Sequence, residues 1–259
     1  MPHSLWEPGD QARRGGGAVG EPAEAVFRSD VTVELIKHSA GDADVIWAAR
    51  VSTQGEQSLA EISAEPERSA GLINFLMRDR HGTPFEHSTM TFYVQAPIFV
   101  FREFMRHRTF SYNEESGRYR TLAPVFYLPG PARPLVQTGK PGAYEFTAGT
   151  AEQHALVTEA TRAACQQAYA AYLRMLAAGV AREVARTVLP VGLYSSMYAT
   201  CNARALMNFL ALRTRHPDAA YPSSPQREIE LVAEQMEAAW ARLMPLTHAA
   251  FGRNGRVCP

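Results

Sequence analysis

Apolar and polar positions alternate over residues 31–36 (Val-Thr-Val-Glu-Leu-Ile) and again over 89–94 (Thr-Met-Thr-Phe-Tyr-Val), which predicts a strand in each place. Residues 119–127 and 194–201 also read as extended. Helical spacing takes over elsewhere. Residues 42–49 fit a helix that delivers Arg50 and Ser52, and residues 66–80 set Leu72, Ile73, Leu76 and Met77 on one stripe. Another helix begins after Pro97. Residues 150–178 form a long alanine-rich helix with Leu156, Ala160, Ala164, Ala168, Tyr172 and Met175 along one side, closed by Gly179. A further helix over 181–189 stops at Pro190, and Asn202 is a good N-cap for the next one. The last helix, 226–243, is amphipathic through Ile229, Val232, Met236, Ala239 and Leu243. Proline and glycine mark 129–149 and 216–225 as long loops.

These elements predict a single α+β domain, a mixed or antiparallel sheet flanked by long helices. Residues 1–27, rich in Gly, Pro and Ala, read as a disordered tail, 28–250 as the folded domain and 251–259 as a C-terminal tail. Residues 15–20 match G-x-G-x-x-G, but they follow Gln-Ala-Arg-Arg instead of a hydrophobic strand, so the dinucleotide fingerprint is rejected. No apolar run approaches a bilayer span, and the N-terminus has no apolar signal core. Three cysteines without metal-type spacing fit a reducing compartment, so a cytoplasmic protein without membrane partners is expected.

The chemistry concentrates between Arg102 and Arg120, where five arginines, a histidine, two serines and an asparagine crowd into R-E-F-M-R-H-R-T-F-S-Y-N-E-E-S-G-R-Y-R. A guanidinium fork matches phosphate or carboxylate bidentately, and hydroxyls with a glycine suit a turn whose N–H groups face an anion. The stretch therefore reads as one oxyanion-binding turn at the end of a buried helix. A solvated, salt-bridged surface turn is the plain alternative. A nucleic-acid stripe is another, since Phe110, Tyr112 and Tyr119 interleave with the arginines. Lys+Arg and Asp+Glu balance at 26 each, which argues for a small anionic ligand over a polyanion.

Two further patterns add polar groups to apolar helices. Arg182 and Arg186 lie four apart, and after Asn202 one helix face carries Leu206, Phe209 and Arg213 while another carries Arg204 and Asn208. Such a helix makes sense lying between two polar ligands. No metal is expected, because His81 and His87 flank a turn without an H-E-x-x-H helix or a clustered third ligand.

The string Arg106-His-Arg, seven residues, then Ser116 resembles the signature of the flavin-dependent thymidylate synthases. Other segments resemble that family in the same order: A-A-R-V-S at 48–52, H-G-T-P-F-E-H at 81–87, A-P-I-F-V at 96–100, E-V-A-R at 183–186 and N-A-R-x-L-M-N-F-L-x-L-R at 202–213. The resemblance covers roughly residues 30–250. It implies reductive methylation of dUMP to dTMP, with methylenetetrahydrofolate giving the carbon and FAD, reduced by NADPH, giving the hydride. It also implies a homotetramer with sites shared between subunits. For dUMP it points to Glu103, Arg106, Glu114, Glu115, Ser116, Gly117, Arg118, Arg213 and, from another subunit, Arg186. Arg213 is the activating, catalytic residue. For FAD it points to Ser52, Thr83, Arg106, His107, Arg108, Glu114, Asn202, Arg204 and Asn208, and it gives His81 a part in holding folate or nucleotide. This chain departs from the family twice: it has Glu103 where Gln is frequent, and a Pro-rich insert between His216 and Gln226 where relatives often carry S-H-A-Q. No Pro-Cys-His context surrounds a cysteine, so a thiolate nucleophile is not expected. The remaining alternatives are a non-catalytic nucleotide- or RNA-binding protein and a flavoenzyme acting on another pyrimidine nucleotide.

Overall fold

The computed structural model describes residues 24–55, 66–140 and 143–259. Most of the tail expected over 1–27, with its glycine run, lies outside the described residues; Val26–Arg28 form a short strand, β1. The central sheet is four-stranded and antiparallel, in the order β2 (Thr32–Ser39), β3 (Thr89–Pro97), β8 (Tyr194–Cys201), β4 (Ser111–Glu114). Strand β1 pairs in parallel with β5 (Val125–Tyr127), and β6 (Val136–Lys140) pairs with β7 (Ala143–Thr147) as a separate hairpin. The mixed α+β architecture expected from the sequence is the one observed.

Period-two alternation sets the inner face of the sheet. Met90, Phe92, Val94 and Ala96 of β3 and Met197, Ala199 and Cys201 of β8 are all buried. Helices α1 (Asp42–Gln54), α2 (Pro66–Arg78) and α3 (Ile98–Phe104) pack there with α6 (Ala203–Arg213), α7 (Arg227–Leu243) and α8 (Pro245–Arg253). A smaller core gathers Phe126, Cys165, Tyr169, Tyr172 and Leu193 under one side of α4 (Ala151–Ala177). Most of α4 is otherwise exposed. Local chemistry explains the ends. The Thr150 hydroxyl caps α4 by accepting from the Gln153 N–H, and Gly179, at φ 79°, terminates it in a conformation that L side chains avoid. The Asn202 side chain accepts from the Ala205 N–H at 2.8 Å and starts α6.

Four expectations change. The long loop over 129–149 contains the β6–β7 hairpin, whose Tyr-Glu-Phe alternation is hidden among prolines and glycines. Only Val125–Tyr127 of the extended stretch over 119–127 is a strand. The helix over 181–189 is one turn, α5 (Arg182–Ala185), followed by a 3-10 turn at Arg186–Val188. Residues 251–259 are no loose tail. Phe251 finishes in the core on α8, and Arg256 is buried, bonding bidentately to Glu237 at 2.6 and 2.8 Å and to the Thr214 hydroxyl at 2.9 Å.

Candidate active site

Strand β4 divides the arginine-rich stretch, which is therefore not one turn but two. Its residues Tyr112 and Glu114 pair with Ala199 and Met197 and face inward, while Ser111 and Asn113 stay exposed. Three steps of extended chain separate the two arginine groups by about 10 Å or more.

At the first end, Arg106, His107 and Arg108 follow the C-terminus of α3. The tyrosine read as a stacking platform does something else. The Tyr112 hydroxyl lies 2.7 Å from the Phe104 carbonyl oxygen and 2.9 Å from that of His107, so it donates into the turn and holds it shut. Sequence reasoning missed this role, although the inward phase of β4 is its signal. His107 is buried, edge-on to Phe209 with ring centroids 4.9 Å apart. Its Nε2 accepts from Arg213 Nε at 3.1 Å, and Arg213 Nη1 donates to Glu103 Oε2 at 2.6 Å. Burial, then the Arg213 charge, push the His107 pKa down to about 4, so the ring is neutral near pH 7. Burial also raises Glu103 above the usual carboxylate range; the Arg213 charge opposes this and the Glu228 charge reinforces it. Arg106 and Arg108 are exposed and have no ion-pair partner among the described residues.

At the other end, the Tyr119 N–H donates to the Ser116 carbonyl at 3.1 Å and the Arg118 N–H to the Ser116 hydroxyl at 3.3 Å, closing a tight turn. Gly117 sits where a Cβ would come 2.8 Å from Leu122 Cδ1 and 3.2 Å from Arg186 Cδ. Arg186 of the same chain thus lies against this turn, whereas the resemblance brings it from another subunit. Glu114 is raised by burial, against a hydrogen bond from Ser195 and the Arg186 charge. Glu115 takes Arg120 at 3.1 Å and Ser196 at 3.3 Å. Arg118 pairs with Glu183 at 2.9 Å, a partner the sequence did not suggest. Both side chains are 54% exposed, so that bridge contributes about 1 kcal/mol at most and a bound anion could replace it.

The remaining residues group less tightly. Asn202 and Asn208 stay accessible on α6. Arg204 is engaged: it donates to Glu86 Oε1 at 2.6 Å and to the Pro259 oxygen at 2.8 Å, and it closes over Gly82 beside Thr83. Ser52 is exposed near the end of α1, donating to the Ala49 carbonyl. His81 stacks on Phe75, and no group of side chains among the described residues could hold a metal ion. A cavity of about 1600 Å³ lies elsewhere, between the β6–β7 hairpin and the start of α7, and none of the residues named for dUMP or FAD lines it. It adjoins the site through buried Glu228, which accepts from Arg133 at 2.7 Å and from Tyr127.

A family model described as "Thymidylate synthase complementing protein" matches residues 34–246. A flavin-dependent thymidylate synthase of Streptomyces avermitilis is 70% identical over 90% of this chain and 95% of its own length. One from Tropheryma whipplei is 59% identical over 91% of this chain and 98% of its own. The chain belongs to the flavin-dependent thymidylate synthase family. Among solved structures, a UMP/dUMP methylase PolB from Streptomyces cacaoi bound with 5-Br UMP superposes with a TM-score of 0.83 at 56% identity, covering 91% of this chain and all of that one. The same protein bound with 5-Br dUMP gives 0.84. The two arginine turns flank the edge strand β4, and α6 follows its neighbour β8.

Proposed function

We propose that this chain converts dUMP to dTMP by reductive methylation, with methylenetetrahydrofolate as carbon donor and FAD, reduced by NADPH, as redox partner. The observation that carries the reading is the convergence of Arg213 with Glu103 and His107, partners 110 and 106 positions away in sequence. The turn from Glu114 to Arg118, with Glu115, Ser116 and Gly117, cradles the nucleotide phosphate, and Arg106 and Arg186 add charge. Arg213 stabilises the uracil ring as its N3 anion, formed as the N3 proton passes to solvent, by setting a permanent positive charge beside it. The donor set suits FAD: the guanidiniums of Arg106 and Arg108, without an ion-pair partner among the described residues, fit a diphosphate, and Asn202 and Asn208 offer further hydrogen-bonding groups along α6. Ser52, Thr83, His107, Glu114 and Arg204 complete the set proposed for that cofactor, and His81 is assigned to folate or nucleotide. Bound there, the flavin supplies the hydride.

The cysteines support a nucleophile-free route. Cys201 is buried on the inner face of β8, and burial pushes its thiol far above the ordinary range. Cys201→Ala is expected to keep turnover within about threefold of the parent, since a buried cysteine acts as a small hydrophobe; abolished dTMP formation in a folded variant would refute this. Gly117→Ala is expected to shift Leu122 or Arg186 and weaken dUMP binding about five- to tenfold by calorimetry. Unchanged binding would remove the turn from the phosphate site.

The decisive test of function is dTMP formation under NADPH with and without FAD, on protein checked for a bound-flavin spectrum. A colourless protein that binds RNA with a steep salt slope would overturn it. The PolB relative described as a UMP/dUMP methylase favours one second reading, activity on the ribonucleotide as well, which parallel assays with UMP and dCMP decide. The exposed length of α4 supports a homotetramer, checked by light scattering. Among the described residues no helix is long and apolar enough to cross a membrane, and a cytoplasmic location belongs to the same proposal.

A further inference from the structure

The contacts of Arg213 are unequal around its guanidinium. Nε donates to His107 and Nη1 to Glu103, while Nη2 has no hydrogen-bond partner among the described residues. A guanidinium is planar, so fixing two of its three nitrogens fixes the plane and the direction of the third. The side chains are only 20% and 25% exposed for Arg213 and Glu103, so this pair is far from a solvated surface bridge.

His107 is equally constrained. Its ring lies edge-on to Phe209 at 4.9 Å and to Phe110 at 6.4 Å, and its own carbonyl is held by the Tyr112 hydroxyl. With Nε2 accepting, the neutral ring carries its proton on Nδ1. It therefore cannot rotate toward a ligand without releasing Arg213. Glu103 is similarly committed, which answers the question its acidity raised: its carboxylate meets an arginine and not an anionic nucleotide.

We propose that Glu103 and His107 are positioning residues that lock the Arg213 guanidinium in one orientation and leave Nη2 to the pyrimidine ring of the bound nucleotide. This rests on the reading of Arg213 given above. The charged groups acting on Glu103 are Arg213 and, from α7, Glu228, itself bonded to Tyr127 and Arg133. As pH falls, Glu103 takes up a proton early because burial and the Glu228 charge both favour the neutral acid, and its hold on Nη1 weakens. An acid limb in kcat then belongs to Glu103.

The test uses the full chain with flavin bound, comparing Glu103→Gln, Glu103→Ala, His107→Asn and Arg213→Ala. Flavin content, dUMP affinity by calorimetry and the pH profile of kcat are measured for each. Glu103→Gln keeps an acceptor in place, so kcat stays within about fivefold at pH 8 and the acid limb disappears. Glu103→Ala loses about 10- to 100-fold in kcat, with flavin content and dUMP affinity close to the parent. Glu103→Ala combined with Arg213→Ala is no worse than Arg213→Ala alone, since both act through one group. An unchanged kcat and acid limb in Glu103→Ala, or losses that multiply in the double variant, overturn the proposal. Full activity in Arg213→Ala overturns the Arg213 reading and the lock together, whereas an inactive Arg213→Ala beside an untouched Glu103→Ala overturns only the lock.

Discussion

Arg213→Ala is expected to cut the rate of dTMP formation by about 10²- to 10³-fold, the usual consequence of deleting one preorganised charge donor. Flavin absorbance of the purified variant should stay close to the parent. The asymmetry follows from position. Arg213 closes the C-terminal end of α6, and the groups proposed for the flavin diphosphate are other side chains, Arg106 and Arg108, which flank its contact His107 and stay in place. The side chain is also braced, so its removal leaves Glu103 half-buried beside Glu228 with its countercharge gone. Some loss of stability accompanies the loss of turnover. Single-turnover kinetics separate the two, because a folded, yellow variant that still forms dTMP at the parental rate would end the assignment.

The largest stability effect is expected at the buried arginine that bonds to the neighbouring Thr214. Arg256→Ala removes the bidentate partner of Glu237 from a site where the arginine side chain is only 4% exposed, leaving a half-buried carboxylate with His248 alone and taking away one of the two hydrogen bonds of the Thr214 hydroxyl. Breaking such a pair costs about 3–5 kcal/mol, or a fall in Tm of roughly 10 °C for a chain of this size. Calorimetric melting checks it, and a shift under 2 °C would count against the pair. The pair also sets an acid sensitivity. Hydrogen bonds from His248 and Arg256 hold the Glu237 carboxyl down to about 2 despite its burial. A depressed carboxyl contributes stability that is complete above its unfolded pKa and drains away as pH falls toward 2. Between roughly pH 5 and 2 the parent should therefore lose stability faster than Glu237→Gln, by an amount on the order of 3 kcal/mol.

What was legible in the sequence was local. Asn202 before an apolar helical run, the extended stretch of β8 and Gly179 after a long helix each carry their signal within a few residues, and each appears where expected. The β6–β7 hairpin did not, because its alternating residues sit in a frame of prolines and glycines that reads as loop. The arginine stretch looked continuous because β4 is four residues long and its inward phase shows only against β8. Partnerships across the fold left no trace at all. Nothing near Glu103 announces Arg213, and nothing near Arg256 announces Glu237, since the first pair joins α3 to α6 across 110 positions and the second joins α7 to the turn after α8. The family motif marked which residues to watch, and the structure added what holds them.

The way residues 258–259 are gripped has a practical side. The Arg80 guanidinium donates to the Cys258 carbonyl at 2.9 Å, Arg204 holds the Pro259 oxygen, and Gly82 is left without space for even a methyl group. A purification handle fused at that end would pry the clasp open and disturb α6 with it.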